Sequence, residues 1–318
     1  MKTKLLGCIA MVLLPFLISI GVTPCDAEPK EKEDVRKSIL AGAWYPGNKQ
    51  TLTKAIEGYL AEADGKSLEG NLKALIVPHA GHIYSGPVAA HAYALLRGKD
   101  IRRVIMIGPS HQARFRGVSV NLQSGYETPL GTVPVDQELA KKIVDADPLI
   151  RRVPRAHASE HALEIQLPFL QTVLKDFEIV PIIMGEQDYR TCTRLAEILC
   201  DVVGDLDKTL LLASTDLSHY HSDKQARALD SKFIDQVREF SPKGLFDALS
   251  SGRCEACGGG PTITVMLTAQ AWGANRSQIL HYAHSGNVTG DESGVVGYLA
   301  AALFEDKEFR PKTARPPQ

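Results

Sequence analysis

The chain has 318 residues, 44% hydrophobic and 23% charged, with 36 Lys and Arg against 37 Asp and Glu for a formal net charge of −1. Near-neutrality excludes a protein built around a broad basic face for nucleic acid. The length suits one large domain or two small ones, and no stretch after the N-terminal segment is long and apolar enough to span a bilayer.

Residues 1–27 read as a secretory signal peptide. Lys2 and Lys4 form a basic start, Leu5 to Val22 is nearly continuous in apolar and small residues, and Cys25-Asp26-Ala27 offers a cleavage site. The protein is therefore expected to be exported, periplasmic or extracellular. An uncleaved membrane anchor is the alternative, because about 18 apolar residues begin to span a bilayer. A lipoprotein is less well supported, since Leu5-Leu6-Gly7-Cys8 precedes the apolar run and Pro24 stands before Cys25. Residues 28–38 are rich in mixed charge and are expected to be a solvated linker. The fold should begin near Ile39 and run to residue 305, with residues 306–318 a loose tail rich in Pro and charge.

Ala41 to Gly47 is a loop that sets Trp44 and Tyr45 beside turn residues, either as surface packing or as a pocket wall. Helical apolar spacing follows over Leu52 to Ala63. Leu72 to Val77 is a buried-strand pattern that ends in Pro78-His79-Ala80-Gly81. A helix is predicted over Pro87 to Leu96. A second apolar run, Arg103 to Ile107, also ends in a histidine, His111, after Gly108-Pro109-Ser110.

Short strands and hairpin turns are predicted over Gly117–Val120 and Gly125–Val135, then a helix capped by Asp136 and running to about Val144. The next predicted helix opens in His157–Glu164, with Ser159 as its cap, and continues to about Leu174. Acids favour helix N-termini, which accounts for Glu160 and Glu164 but not for His161. Two more buried strands are expected at Glu178–Met184 and Thr209–Ala213, around a helix at Tyr189–Val203. The second ends in Ser214-Thr215-Asp216-Leu217-Ser218-His219. Helices at Lys224–Glu239 and Pro242–Ser250, a glycine-rich loop with Cys254 and Cys257, a helix at Thr262–Trp272 and strands at Ser277–Tyr282 and Gly294–Phe304 complete the chain. The pattern is a single-domain α/β sheet with helices on both faces, and such sheets place their chemistry at the C-terminal ends of the strands.

Polar atoms suited to chemistry gather at His79, His111, Asp216 with His219, and Cys257. Imidazole suits iron, copper, zinc or nickel, and a thiolate moves preference toward softer ions. The glycines after Cys257 and the nearby helix start would favour its thiolate. Cys254-x-x-Cys257 also reads as a disulfide pair, and export would favour that bridge.

VPHAGHIYSG, IGPSHQARFRG, ETPLGTVPVD, SEHALEIQLPFL, STDLSHY and ACGGGPTITVML, in that order, closely resemble the Memo family over residues 40–304. The resemblance implies a fold similar to class III extradiol dioxygenases of the LigB type. It implies metal ligands at His79, His111 and Cys257, with Asp216 and His219 as the neighbouring acid and histidine of the pocket. Iron or copper would be the cofactor, with zinc the other option, in a redox enzyme of unknown substrate. His219 would move protons and Asp216 would orient it. The alternative is a non-catalytic protein that holds a metal or a peptide in the same pocket, as the signalling role described for eukaryotic relatives implies. Bacterial members are named for a gene set that includes a radical-SAM enzyme and an AMMECR-type protein, which implies a functional link to both. No nucleic-acid partner is expected, and no membrane contact except through an uncleaved leader.

Overall fold

Four runs of Leu, Ile, Val and Ala make the centre of one sheet. In a computed structural model, which describes residues 34–63 and 67–308, the strands in chain order are β1 Val35–Arg36, β2 Asn71–Val77, β3 Arg103–Pro109, β4 Val118–Val120, β5 Gly125–Thr128, β6 Gly131–Pro134, β7 Ile150–Arg151, β8 Glu178–Met184, β9 Thr209–Ser214, β10 His219–His221, β11 Arg276–His284 and β12 Val295–Glu305. The helices are α1 Lys49–Glu62, α2 His82–Tyr93, α3 Gln137–Ala146, α4 Pro154–Ala158, α5 Leu167–Val173, α6 Tyr189–Val202, α7 Asp223–Arg238, α8 Pro242–Ser250, α9 Gly259–Ala271 and α10 Gly286–Thr289.

β2, β9, β3 and β8 lie side by side in that order and run parallel. They are buried along nearly their whole length, and a strand covered on both faces needs apolar side chains at every position rather than at alternate ones. β12 joins antiparallel beside β2 and also pairs with β10 and β11. β4 joins antiparallel beside β8 and pairs with β7 at the far edge. The sheet has nine strands.

Helix α9 packs on β2, β9 and β3 and against α6 and α8; α2 packs on β2, β11 and β12 and against α1 and α5. The two layers cover the sheet from either side, so the α/β architecture with helices on both faces is as the sequence led us to expect. From Asp34 onward the chain is one compact unit. No helix among the described residues is long and apolar enough to cross a membrane. The leader read at residues 1–27 lies outside the described residues, as do residues 28–33 of the expected linker and residues 309–318 of the expected tail.

The charged-linker expectation for residues 28–38 fails from Val35 onward. β1 pairs with β5, which pairs with β6, in a small second sheet. Arg36 is buried and its Nη1 meets Glu164 Oε2 at 2.6 Å. The same carboxylate accepts hydrogen bonds from Ser38 Oγ, Tyr45 Oη and the backbone N–H groups of Ile39 and Leu40. A mixed-charge run looks solvated when the partner that buries it lies far along the chain.

The long helix expected over residues 157–174 is also broken. α4 ends at Ala158, residues 159–163 are irregular, and a single 3₁₀ turn precedes α5. Arg36 holds both sides of the break, donating to His157 O at 2.7 Å and to Glu160 O at 2.8 Å. Helix α2 starts at His82, so Pro87 lies inside it rather than at its start.

Candidate metal centre

The sheet order decides which side chains meet. His79 follows β2, Asp216 follows β9 and His111 follows β3, and these three strands are neighbours and parallel, so all three residues emerge at one edge. His161 comes from the irregular segment after α4. One ring nitrogen from each of His79, His111 and His161 lies within 4.8 Å of the others. The ring centroids are 5.1 Å apart for His79 and His111, 5.3 Å for His79 and His161, and 4.3 Å for the stacked pair His111 and His161.

Hydrogen bonds on the far side of the rings set their tautomers. Ser214 Oγ gives its one proton to Ala162 O at 2.6 Å and accepts from Gln166 Nε2 at 2.8 Å. His79 Nδ1, 2.9 Å from the same oxygen, must therefore donate, which leaves Nε2 with a lone pair. The buried Glu160 carboxylate does the same for His111, whose Nδ1 is 2.9 Å from Oε1, and it also lies 3.3 Å from His161 Nδ1. Glu160 further accepts the backbone N–H groups of His111, His161 and Ala162.

Burial, then the His111 ring, pushes His79 down to about 3. Burial, then the His79 and His111 rings, takes His161 down to about 4. Both are neutral near pH 7, the form that ligates metal. Burial alone would raise the Glu160 carboxyl, but the His111 ring and the backbone N–H groups outweigh it and hold it at about 2.

Cys257 Sγ lies 3.0 Å from His79 Nε2 and 3.2 Å from the Asp216 backbone nitrogen. Burial, then the Asp216 carboxylate, pushes this thiol up, so the expected thiolate is not favoured by the protein alone. Only a cation would reverse that. Cys192, Cys200, Cys254 and Cys257 are all free thiols, so no 254–257 bridge is present.

Asp216 does not orient His219 as expected. Its Oδ1 accepts the His79 backbone N–H at 2.7 Å, and burial pushes its carboxyl up to about 6. His219 is instead fixed by Nδ1 donating to Leu217 O at 2.8 Å, which leaves Nε2 as its acceptor.

These groups open into a cavity of about 760 Å³ that His79, His111, His161, Asp216 and His219 line. Trp44, Ile83, Tyr84 and Tyr220 line it as well, and each is an exposed large hydrophobic. Tyr220, 80% exposed, stands on a backbone with φ of 62°, a strained conformation for a non-glycine residue. Among the described residues no Lys or Arg lines the cavity. A larger groove of about 840 Å³, lined by Lys49, Arg102 and Glu178 among others, holds no comparable donor set, so chemistry rather than size selects the site.

A family model described as "Memo-like protein" matches residues 36–302. The chain belongs to the Memo family. It is 38% identical over 277 residues to a "MEMO1 family protein" of Methanosarcina acetivorans, covering 84% of this chain and 98% of that one. It is 37% identical over 280 residues to a namesake from Sulfolobus acidocaldarius, again covering 84% and 98%. The Nitrosopumilus maritimus protein of that name is 33% identical over 271 residues, with the same coverage. A solved structure titled uncharacterized protein JW3007 from Escherichia coli K12 is similar at TM-score 0.48 and 14% identity, over 73% of this chain and 99% of that one.

In this Memo-family chain the strand-then-histidine pattern located His79 and His111, and the STDLSH motif located Asp216 and His219. Sequence reasoning set Glu160 aside as a helix-start acid and left His161 unplaced. Their signal was His161 itself, a histidine that no helix-start preference explains.

Proposed function

We propose that this Memo-family protein binds a transition metal at His79, His111 and Cys257 together with His161, and that with iron or copper bound it carries out redox chemistry on a small uncharged molecule; zinc, the other option, would hold the site without redox chemistry. The observation that carries this reading is the convergence of three imidazoles, two of them with Nδ1 committed to Ser214 and Glu160 so that the lone pair stands on Nε2. Neutral imidazoles beside a soft sulfur suit iron, copper or zinc. Bound iron or copper would supply the metal-centred electron transfer. The likeness to extradiol dioxygenases is part of the proposal, with one difference. Glu160 and Asp216 are already engaged by N–H groups, so sulfur or a third histidine replaces the usual carboxylate ligand.

The protein's own residues have distinct work. His219, through its free Nε2, accepts or returns a proton on the substrate side of the cavity. Trp44, Tyr84 and Tyr220 hold an apolar body at the mouth and limit water. Among the described residues no Lys or Arg lines the cavity, which favours an uncharged substrate over an anionic one. The exposed rim also supports a second reading, a non-catalytic holder of metal or peptide. Export through residues 1–27, and a functional link to a radical-SAM enzyme and an AMMECR-type protein, complete the proposal.

Titration with iron(II), copper and zinc tests it. His79→Ala, His111→Ala and His161→Ala should each lower affinity steeply. Cys257→Ser should turn preference toward harder ions. His219→Ala should keep the metal and lose oxygen uptake or any turnover. Equal metal binding by the wild type and His79→Ala would sink the site.

A further inference from the structure

Five arginines, none of them among the cavity-lining residues, gather on two segments. The loop that leaves His111 carries Arg114 and Arg116; β7, the turn after it and α4 carry Arg151, Arg152 and Arg155 in that order, and all five are exposed. The two segments adjoin, because β7 pairs with β4 and the guanidinium groups lace them together. Arg151 Nη2 donates to Arg116 O at 2.7 Å, and Arg155 Nη2 donates to Arg114 O at 3.3 Å. Of these five, only Arg152 meets a carboxylate among the described residues, that of Asp34 at 3.9 Å. Glu186 accepts the Gly117 N–H, and Asp147 pairs with Arg194 rather than with any of the five. In a chain of net charge −1 this is a local concentration that composition does not explain. Guarding the sheet edge at β7 accounts for Arg151, but Arg114, Arg116, Arg152 and Arg155 lie off that strand.

We propose that this face docks on an anionic lipid surface. Guanidinium groups pair with phosphate oxygens in a planar fork, and a row of them suits a sheet of phosphates. The exposed large hydrophobics, Ile39, Trp44, Ile83, Tyr84, Tyr220 and Val288, are all on other segments. Phe115, between Arg114 and Arg116, is partly buried against the core, so among the described residues the face presents no large exposed hydrophobic to serve as the apolar anchor of a protein interface or as an aromatic platform for single-stranded nucleic acid. Charge alone remains, and charge alone is how peripheral proteins meet anionic bilayers.

Sedimentation of the full chain with vesicles tests the proposal, comparing phosphatidylcholine alone with phosphatidylcholine containing phosphatidylglycerol. Any contribution of the apolar leader enters both arms, so the ratio of the two partition constants is the readout. That ratio should favour the anionic vesicles and collapse at high salt. It should fall about fivefold for each of Arg114→Gln, Arg116→Gln, Arg151→Gln and Arg155→Gln. Lys99→Gln and Lys224→Gln, exposed on other elements, should leave it unchanged, and circular dichroism should show every variant folded. A ratio near one, or one that the lysine variants lower as much as the arginine variants, overturns the proposal. So does arginine-dependent retention of soluble poly-glutamate without vesicle binding, which would point to an acidic protein partner.

Discussion

The Glu160 carboxylate takes hydrogen bonds from one imidazole and three backbone N–H groups, and through them it fixes where His111 and His161 stand. Such a group never touches the ion but sets the angle from which a ligand approaches it. Glu160→Gln keeps the volume and removes the anion behind His111 Nδ1, so metal affinity should fall by about 10–100-fold with the fold intact. Isothermal titration with zinc and iron(II) reads this directly, and unchanged affinity would mean that the loop, not the carboxylate, aims His111. At this scale the sequence was partly legible. His79, His111, Asp216 and His219 each follow a recognisable strand, and the strand gives them away. Glu160 and His161 follow no strand. Their placement depends on Arg36, which binds the carbonyl of Glu160 from 124 residues away, and no local pattern encodes that contact.

Elements with strong periodic patterns were legible for the same physical reason. α8 runs Pro242–Ser250, the range its sequence predicts, because Pro at its first turn and Ser241 at its cap act locally. The segment Val35–Ser38 was not, because what orders it is a single buried acid on a distant turn. Burial pushes the Glu164 carboxyl up, yet the Arg36 guanidinium and the surrounding donors outweigh it and hold the group below the ordinary glutamate range. A folded-state value below the unfolded one means that the stabilisation is complete above the ordinary glutamate value of about 4.3, and is lost as pH falls through the depressed value. Arg36→Ala should cost about 3–5 kcal/mol at pH 7, because it strands a buried carboxylate. The paired change Arg36→Met with Glu164→Gln should cost less and should flatten the loss of stability on acidification. Urea midpoints measured from neutral to acid pH check both, and an unaltered pH slope in the double variant would remove Glu164 from the account.

The proposed donors come from four separate places in the molecule: the ends of β2 and β3, the break after α4 and the turn before α9. An unfolded chain cannot gather them, so an ion bound here should act as a cross-link made only by the folded state. Binding that is confined to the folded state stabilises by mass action, about 2.7 kcal/mol when free metal stands at about 100 times its dissociation constant. For a domain of this size that corresponds to a rise in Tm of about 5 °C or somewhat more. One competing effect needs separation. Cys254 and Cys257 are close in sequence and can hold a soft ion in the unfolded chain as well, which would reduce the shift. Cys254→Ser removes that route while leaving Cys257 beside His79. The rise should therefore be at least as large in Cys254→Ser as in the wild type, should vanish on adding a chelator, and should be absent in His79→Ala. Differential scanning calorimetry with and without iron(II) or zinc reads all of these. A rise that survives in His79→Ala would place the bound ion elsewhere in the molecule, since that histidine is the one ring in direct contact with Cys257 and stands edge-on to both other imidazoles.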